Sequence, residues 1–296
     1  MSARLPGELS AKPQIAIVGA GNLAGALAVS LRKAGYGLEQ IISRDPPASR
    51  SRAKSLARET GSIAVPVSRA TIQAGVVWFC VPDAAIANAA ASLTNATDWK
   101  GKIALHSSGA LASGELKVLK DRGANVASVH PLMTFVRGSR PSLVDVPFAI
   151  EGDRKALRIA RSIVLDLGGL CFPIKEEHKA AYHAWGMFAS PLLTALLAVT
   201  ERVAAAAGVQ RKSARERMLP ILRQTIANYS RLGAAASFSG PLARGDAATV
   251  KKHLKVLQGV YGGGEVYLAL ARSALHELPA KNQAALKKVI NKYVSK

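Results

Sequence analysis

Residues 14–34 read Q-I-A-I-V-G-A-G-N-L-A-G-A-L-A-V-S-L-R-K-A, and this stretch decides the fold. An apolar run at residues 15–18 ends at Gly19-Ala20-Gly21, and an Ala/Leu-rich segment with helical spacing follows. This order predicts a strand, a tight turn and a helix. The turn fits the G-x-G-x-x-G/A pattern of dinucleotide-binding sites, with Ala24 in its third position. Chains rich in Ala and Gly also produce this pattern by chance, so an ordinary strand-to-helix turn is the alternative.

The turn is the predicted site for the phosphates of a cofactor. Backbone N–H groups and the positive end of the helix dipole would face a pyrophosphate there. The side chain of Asn22 is placed to cap the helix or to contact a phosphate oxygen. The predicted cofactor-binding residues of the turn are Gly19, Ala20, Gly21, Asn22 and Leu23.

Short apolar runs alternate with helical patterns over the first half of the chain. After the first strand, further strands are predicted at residues 40–43, 62–65, 76–81, 102–105, 125–129, 148–151 and 170–174. This alternation predicts an α/β doubly wound (Rossmann) parallel sheet. Beyond Lys175 the periods are helical to the end of the chain. We therefore expect a nucleotide-binding domain at residues 1–174 and an all-α domain at residues 175–296.

Composition limits the function classes. The chain is 49% hydrophobic with few aromatic residues, which suits α/β layers and closely packed helices. Cys80 and Cys171 lie in separate apolar runs, so we expect free thiols, no disulfide framework and no metal site. The net charge of +21 suggests a nucleic-acid partner as an alternative, but the cations are scattered and match no binding motif, so we interpret them as solvated helix faces.

Two segments of the sequence indicate where in the cell the protein is expected. Residues 1–13 lack a continuous apolar core, which argues against a secretory signal. The longest apolar stretch, residues 184–200, contains Ser190-Pro191 and Thr194, and we expect it to be a buried core helix and not a membrane span. These features predict a cytoplasmic protein without a membrane partner.

The second strand distinguishes the two nicotinamide dinucleotides. An NAD site places an acid after this strand, whereas an NADP site places an arginine there for the 2′-phosphate. The sequence has Ser43-Arg44, which favours NADP, although a solvated turn cation is the alternative for Arg44. Asp45 lies one residue past the expected position of the acid. Val81 and Pro82, after the fourth strand, complete the predicted cofactor-binding set.

Histidines follow two later strands of the predicted sheet. His106 and His130 would meet at the carboxyl edge of the sheet, where ligands of open α/β folds bind. Hydride transfer to a carbonyl or imine needs a proton donor or an orienting hydrogen bond, and histidine supplies either near neutral pH. Ser107 and Ser108 can offer hydroxyl and backbone donors to a carboxylate or phosphate. A structural histidine is the alternative at each position.

The helical half adds four candidates. Lys179 and His183 are four residues apart on one helix face, and Ser190 lies further along that stripe. Polar groups in an apolar helix are costly unless they face a cleft or find partners, so packed polar contacts are the alternative. Arg244, beside a glycine, can bind a carboxylate or phosphate through two bonds.

Five ordered motifs give the chain a family resemblance. They are G-A-G-N-L-A-G-A-L (residues 19–27), H-S-S-G-A (106–110), V-H-P-L-M-T-F (129–135), Y-H-A (182–184) and G-P-L-A-R-G-D (240–246). Together they resemble the two-domain proteins that join a Rossmann-like domain to a helical domain of unknown function. That group is similar to pyrroline-5-carboxylate reductase, 6-phosphogluconate dehydrogenase and the deazaflavin-dependent NADP oxidoreductases. The resemblance implies NADP, a helical domain that commonly dimerises, and a substrate cleft between the domains.

The sequence therefore predicts an NADP-dependent oxidoreductase acting on a C–O or C–N bond of a small, anionic substrate. The predicted catalytic residues are His130 and His183, and the predicted substrate-binding residues are His106, Ser107, Ser108, Lys179, Ser190 and Arg244. The expected partner is a second copy of the chain, bound through the helical domain. The Lys-x-x-Asn pair of the hydroxyacid-dehydrogenase relatives has no match, since Tyr182 follows Lys179 at that spacing. A catalytically silent NADP-binding sensor or interaction protein is the alternative.

Overall fold

The computed structural model describes residues 12–294, so the expectation about a secretory signal lies mostly outside the described residues. Eight strands form one sheet: β1 (Ile15–Val18), β2 (Leu38–Ser43), β3 (Ile63–Pro66), β4 (Val76–Phe79), β5 (Ile103–His106), β6 (Asn125–Pro131), β7 (Pro147–Gly152) and β8 (Leu170–Pro173). Their order is β3-β2-β1-β4-β5-β6-β7-β8. The first six follow the order of a dinucleotide-binding sheet, so the Rossmann-type prediction is confirmed.

Five helices cover the two faces of the sheet: α1 (Asn22–Lys33), α2 (Pro47–Thr60), α3 (Ile86–Ser92), α4 (Lys117–Lys120) and α5 (Arg154–Asp166). Successive strand side chains point to opposite faces, as in β1, where Ile15 and Ile17 pack with α1, α2 and α5. Ala16 and Val18 pack instead with α3 and α4. The central strands β1, β4 and β5 are buried throughout, which explains their unbroken apolar runs.

One strand pair departs from the predicted parallel sheet. Strands β6 and β7 are antiparallel, with Val129 opposite Ile150, whereas the other neighbouring pairs are parallel. A parallel return needs a crossover of a dozen or more residues, usually helical. Residues 132–146 contain no helix, so β7 returns beside β6 in the opposite direction.

Helices make up the rest of the described chain: α6 (Lys179–Met187), α7 (Leu193–Ala206), α8 (Arg211–Ser237), α9 (Pro241–Arg244), α10 (Ala247–Leu257), α11 (Gly263–Glu277) and α12 (Gln283–Val294). A π-helical turn, Phe188–Leu192, separates α6 from α7 and contains Pro191, whose missing N–H interrupts the regular hydrogen bonds of an α-helix. Asp246 caps α10, as its carboxylate accepts a hydrogen bond from the N–H of Thr249.

The expectation of a buried core helix at residues 184–200 is wrong for this chain. No residue of α7 is buried, and the buried apolar cluster of the helical region is formed by α10, α11 and α12. Within the described residues, the helical stretch Glu176–Ala206 is long and apolar enough to cross a membrane by length and composition alone. Its apolar side chains remain uncovered because α10–α12 make their core without it.

The described chain divides into two compact units, and the boundary between them falls between Met187 and Phe188. The boundary expected at residue 174 stays a prediction about domains, but α6 belongs to the same compact unit as the sheet. Lys179, Tyr182 and His183 therefore lie in the unit that carries the strand ends. Both cysteines are free thiols, with Cys80 buried and Cys171 half-buried.

Candidate functional site

The turn between β1 and α1 has the geometry of a phosphate site. Gly19 has φ +110°, and a Cβ placed on it would lie 2.4 Å from the carbonyl oxygen of Cys80, so only glycine fits. Around Gly21, by contrast, a Cβ would meet nothing within 4 Å. Gly21 is also the N-cap of α1 and makes no side-chain cap. The first N–H groups of the helix thus face open space beside the turn, where an anion can bind.

The chain after β2 carries an exposed arginine, Arg44, and an aspartate, Asp45, that is hydrogen-bonded within the protein. Arg44 is exposed, directly after the strand. Asp45 accepts a hydrogen bond from the Ser68 hydroxyl at 2.6 Å, which turns its carboxylate to β3. Ser43 is buried, and its hydroxyl donates to the carbonyl of Arg44. The charge offered to a ribose at this edge is therefore positive.

A cavity of about 580 Å³ lies beside the glycine turn. Its walls come from the start of α1, from the outer face of α2 and from the β6–β7 connection. Arg52 and Arg140 line it, together with Gly21 and Asn22. Two guanidinium groups beside a helix start favour a phosphate-bearing ligand, and a dinucleotide fits this donor set.

His106 is a structural residue of the next strand end. Its ring is completely buried, Nδ1 accepts from the N–H of Ser108 at 3.1 Å, and Nε2 lies 2.9 Å from the carbonyl oxygen of Ala112. Because Nδ1 accepts, Nε2 carries the proton and donates to Ala112. Both ring nitrogens have partners within the protein, and the predicted substrate contact of His106 stays a prediction. Burial, reinforced by the charge of Lys179, lowers the pKa of this imidazole to about 4.

This buried imidazole predicts an acid-sensitive fold. The unfolded chain takes up the proton near pH 6.5, whereas the folded chain takes it up near pH 4, so stability falls as the pH drops through that window. His106→Gln removes the titration. Its stability deficit against the wild type is expected to shrink by about 2 kcal/mol between pH 7 and 4.5. Urea unfolding followed by tryptophan fluorescence measures the free energy of unfolding of the wild type and the variant at each pH. The control is His178→Gln, which replaces an exposed histidine. A deficit that does not change with pH would contradict this assignment.

Ser108 and Lys179 belong to a buried polar cluster. The Ser108 hydroxyl donates to the carboxylate of Asp83 at 2.7 Å and accepts from backbone N–H groups of the following turn. The Lys179 amine is 1% exposed and donates to the Ser128 hydroxyl at 2.7 Å. Burial lowers the pKa of Lys179, and the carboxylate of Glu151, 4.0 Å away, opposes this shift. Both groups bond to residues at the strand ends, and their predicted roles as direct substrate ligands stay predictions.

His130 lies between the Tyr182 hydroxyl and the backbone of Gly109. Its Nδ1 lies 2.7 Å from the Tyr182 hydroxyl. On the other side, a Cβ added to Gly109 would lie 2.9 Å from both Nε2 of His130 and Cδ2 of His183. The two histidine rings meet edge to face, with centroids 6.4 Å apart. Gly109 therefore lets the backbone approach both predicted catalytic rings closely, because any side chain at this position would collide with them.

Burial, followed by the charges of Lys179 and His183, lowers the pKa of His130 to about 4. The ring is therefore neutral at physiological pH. Burial also raises the pKa of Tyr182, so its hydroxyl keeps its proton. A neutral imidazole can donate one hydrogen bond or accept a proton, but it does not serve as an imidazolium acid at pH 7.

The structure brings some predicted residues together and leaves others separate. Ser107, half-buried, accepts from the indole N–H of Trp78. Ser190 and Arg244 lie in the second compact unit, so their substrate roles stay predictions. Among residues 12–294 no group of three or more His, Cys, Asp or Glu side chains is placed to hold a metal ion.

Sequence reasoning missed four contributors. Ser128 and Asp83 gave no local signal, since their partners are distant in sequence. Gly109 could have been recognised, because it follows His106 and two serines in a tight turn. Arg140 lies in the basic segment R-G-S-R-P between two strands, a signal for an anion-binding connection.

Each half of the chain matches a known family model. A family model described as a Rossmann-like domain matches residues 6–131. A second model, a domain of unknown function (DUF2520), matches residues 146–274. No curated protein matches the chain by sequence.

Solved structures share this architecture along most of the chain. One is a Bacteroides fragilis protein provisionally named an NADP oxidoreductase, 20% identical, with TM-score 0.75 over 88% of this chain and 97% of that one. Another is an imine reductase from Myxococcus stipitatus in complex with NADP⁺, 16% identical, with TM-score 0.62 over 95% and 100%. A pyrroline-5-carboxylate reductase from Coxiella burnetii is 13% identical, with TM-score 0.58 over 96% and 98%.

The similarity to these solved structures shows the fold. The two family matches show which domain each part of the chain resembles. The order of the matched domains is the order that the five sequence motifs predict. Residues 6–131 of the chain match the Rossmann-like domain, and residues 146–274 match the DUF2520 domain.

Proposed function

We propose that this chain is an NADP-dependent oxidoreductase that exchanges hydride between nicotinamide and a small, anionic substrate with a C–O or C–N bond. The observation that carries the proposal is the glycine turn with uncapped N–H groups beside an exposed Arg44. The position of Asp45 supports NADP over NAD, because it lies one residue past the place of the acid that would hold a free 2′-hydroxyl, and one of its oxygens already accepts from Ser68. The names of the solved relatives agree with this cofactor.

Each group of residues has a distinct task in this proposal. The turn residues and Arg44 hold the phosphates, and Val81 and Pro82 border the path toward the later strand ends. Bound NADPH supplies the hydride. The nearest alternative acceptor for the Tyr182 hydroxyl, the His130 carbonyl, is 3.5 Å away, so we assign its proton to Nδ1 of His130. Nε2 then carries the ring proton and can donate a hydrogen bond to the carbonyl or imine of a bound substrate.

Arg44→Gln tests the cofactor assignment. The variant is expected to bind NADPH about 10- to 100-fold more weakly, because a charge-assisted pair with the 2′-phosphate is lost. Its affinity for NADH should stay unchanged, since NADH lacks that phosphate. Nucleotide fluorescence titrations of the wild type and the variant measure both constants. Wild-type binding of NADH tighter than NADPH, or of neither, would contradict the proposal.

A catalytically silent NADP-binding sensor is the second candidate. The burial of Lys179 favours it, because a lysine engaged by Ser128 is not placed to act as the acid or base of the dehydrogenase relatives. Oxidation of NADPH by any member of a panel of carbonyl and imine compounds would exclude the sensor. Binding without turnover across the panel would favour it.

The assembly and location stay predictions. Uncovered apolar side chains on α7 and α8, among them Leu193, Ile221 and Ile226, support a homodimer through the helical domain. Pro191 and the neighbouring hydroxyl residues support a protein interface over a membrane at the same stretch. A cytoplasmic location without nucleic-acid partners agrees with the scattered cations.

A further inference from the structure

The β6–β7 connection, residues 132–146, reaches across the sheet edge to the glycine turn. The side-chain amide of Asn22 donates to the carbonyl of Phe135 at 3.1 Å, which ties the start of α1 to this connection. Beyond Phe135 the chain makes a tight turn, in which the N–H of Ser139 bonds to the carbonyl of Val136 and Gly138 has φ +79°. This turn delivers Arg140 to the cavity beside α1.

The guanidinium of Arg140 lies over the first turns of α1. A Cβ added to Gly25 would be 3.7 Å from its Nε, and Gly25 itself lines the cavity. The same guanidinium donates to the carboxylate of Glu59 on α2. Arginine has five N–H donors, so the bond to Glu59 fixes the side chain and leaves donors for an anion. The side chain is 46% exposed, which leaves it accessible to a ligand.

A second cation faces the same cavity from α2. Arg52 and Ser55, three residues apart on one helix face, line the cavity opposite Arg140. Arg44 stands apart from this pair, because it follows β2 directly and does not line the cavity. The chain thus has separate cationic positions at the glycine turn and at the end of β2.

We propose that Arg140 and Arg52 bind the diphosphate of the dinucleotide, so that the β6–β7 connection is part of the cofactor site. The proposal rests on the proposed function and assigns residues outside the G-x-G-x-x-A turn. The diphosphate is the part of the dinucleotide that fits this position best, because Gly21 and Asn22 line the cavity and the backbone there leaves room for a pyrophosphate. Arg44 then recognises the 2′-phosphate, and the two cationic positions have different specificities.

Arg140→Gln distinguishes these roles. Because NADPH and NADH share the diphosphate, the variant is expected to bind both about tenfold more weakly, by the same factor. Arg44→Gln should weaken NADPH alone. The matched control is Arg137→Gln, an exposed arginine of the same connection that does not line the cavity, and it should keep both affinities within about twofold. Fluorescence titration gives all the constants, and circular dichroism confirms that each variant is folded.

Three outcomes would overturn the inference. Wild-type-like binding of both nucleotides by Arg140→Gln would exclude Arg140 while leaving the proposed function intact. A loss confined to NADPH would reassign Arg140 to the 2′-phosphate. Failure of the wild type to bind either nucleotide would remove the proposed function together with the inference.

Discussion

Gly19→Ala is expected to destabilise the sheet unit by about 3 kcal/mol or more, since it combines backbone strain with a steric clash. The φ of +110° is unfavourable for alanine, and the new Cβ would lie 2.4 Å from the Cys80 carbonyl oxygen. That carbonyl belongs to the chain directly after β4, so neither partner can move without disturbing the centre of the sheet. Urea unfolding monitored through the buried Trp78 and Trp99 measures the loss.

Gly21→Ala is the matched control for this substitution. Gly21 has φ −82° and open space where a Cβ would be, so the free energy of unfolding should change by no more than about 0.5 kcal/mol. NADPH binding should nevertheless weaken at least about tenfold, because the methyl group would occupy the approach of the pyrophosphate. Equal stability losses in the two variants would contradict the distinct roles given to the two glycines.

Features of the fold that depend on a local sequence pattern could be predicted, and features that depend on distant elements could not. The glycine turn and the eight strands were predictable because each depends on a local pattern: an apolar run, a turn residue, a helix stop. The antiparallel direction of the β6–β7 pair has no such pattern, since it depends on the missing helix in residues 132–146 and not on either strand. The exposure of α7 was not predictable either, because an apolar helix has the same pattern whether or not another element covers it.

The position of the candidate site could be predicted from the sequence, but the orientation and hydrogen-bond partners of its side chains could not. Strand ends converge at one edge of a parallel sheet, so His106 and His130 were expected there. Sequence does not tell which way each ring points. His106 turns into the protein and bonds to its own turn, whereas His130 keeps Nε2 beside Gly109. Lys179 was expected to contact substrate, but its buried amine completes a contact with Ser128 of β6, a partner without a local signal.

The pKa of His130 restricts the reaction that the site can assist. With a pKa of about 4, the ring is neutral at pH 7 and acts as a hydrogen-bond donor or as a base. In reduction, the Nε2–H would polarise the carbonyl or imine, and solvent would supply the proton. Such a donor stabilises the negative charge that develops on the substrate during hydride transfer. The Tyr182 hydroxyl holds Nδ1 and so determines which nitrogen faces the substrate.

His130→Ala is therefore expected to lower kcat by about 10²- to 10³-fold for any panel compound that the wild type reduces, with the Kd for NADPH unchanged. Tyr182→Phe keeps the ring but frees Nδ1, so it should lower kcat by only about twofold, because the proton is then shared between both nitrogens. Since His130 titrates near pH 4, kcat of the wild type should show no His130-dependent decline between pH 5.5 and 8. A decline centred near pH 6.5 that disappears in His130→Ala would show that the imidazolium is the working form, and the neutral-donor assignment would then be wrong.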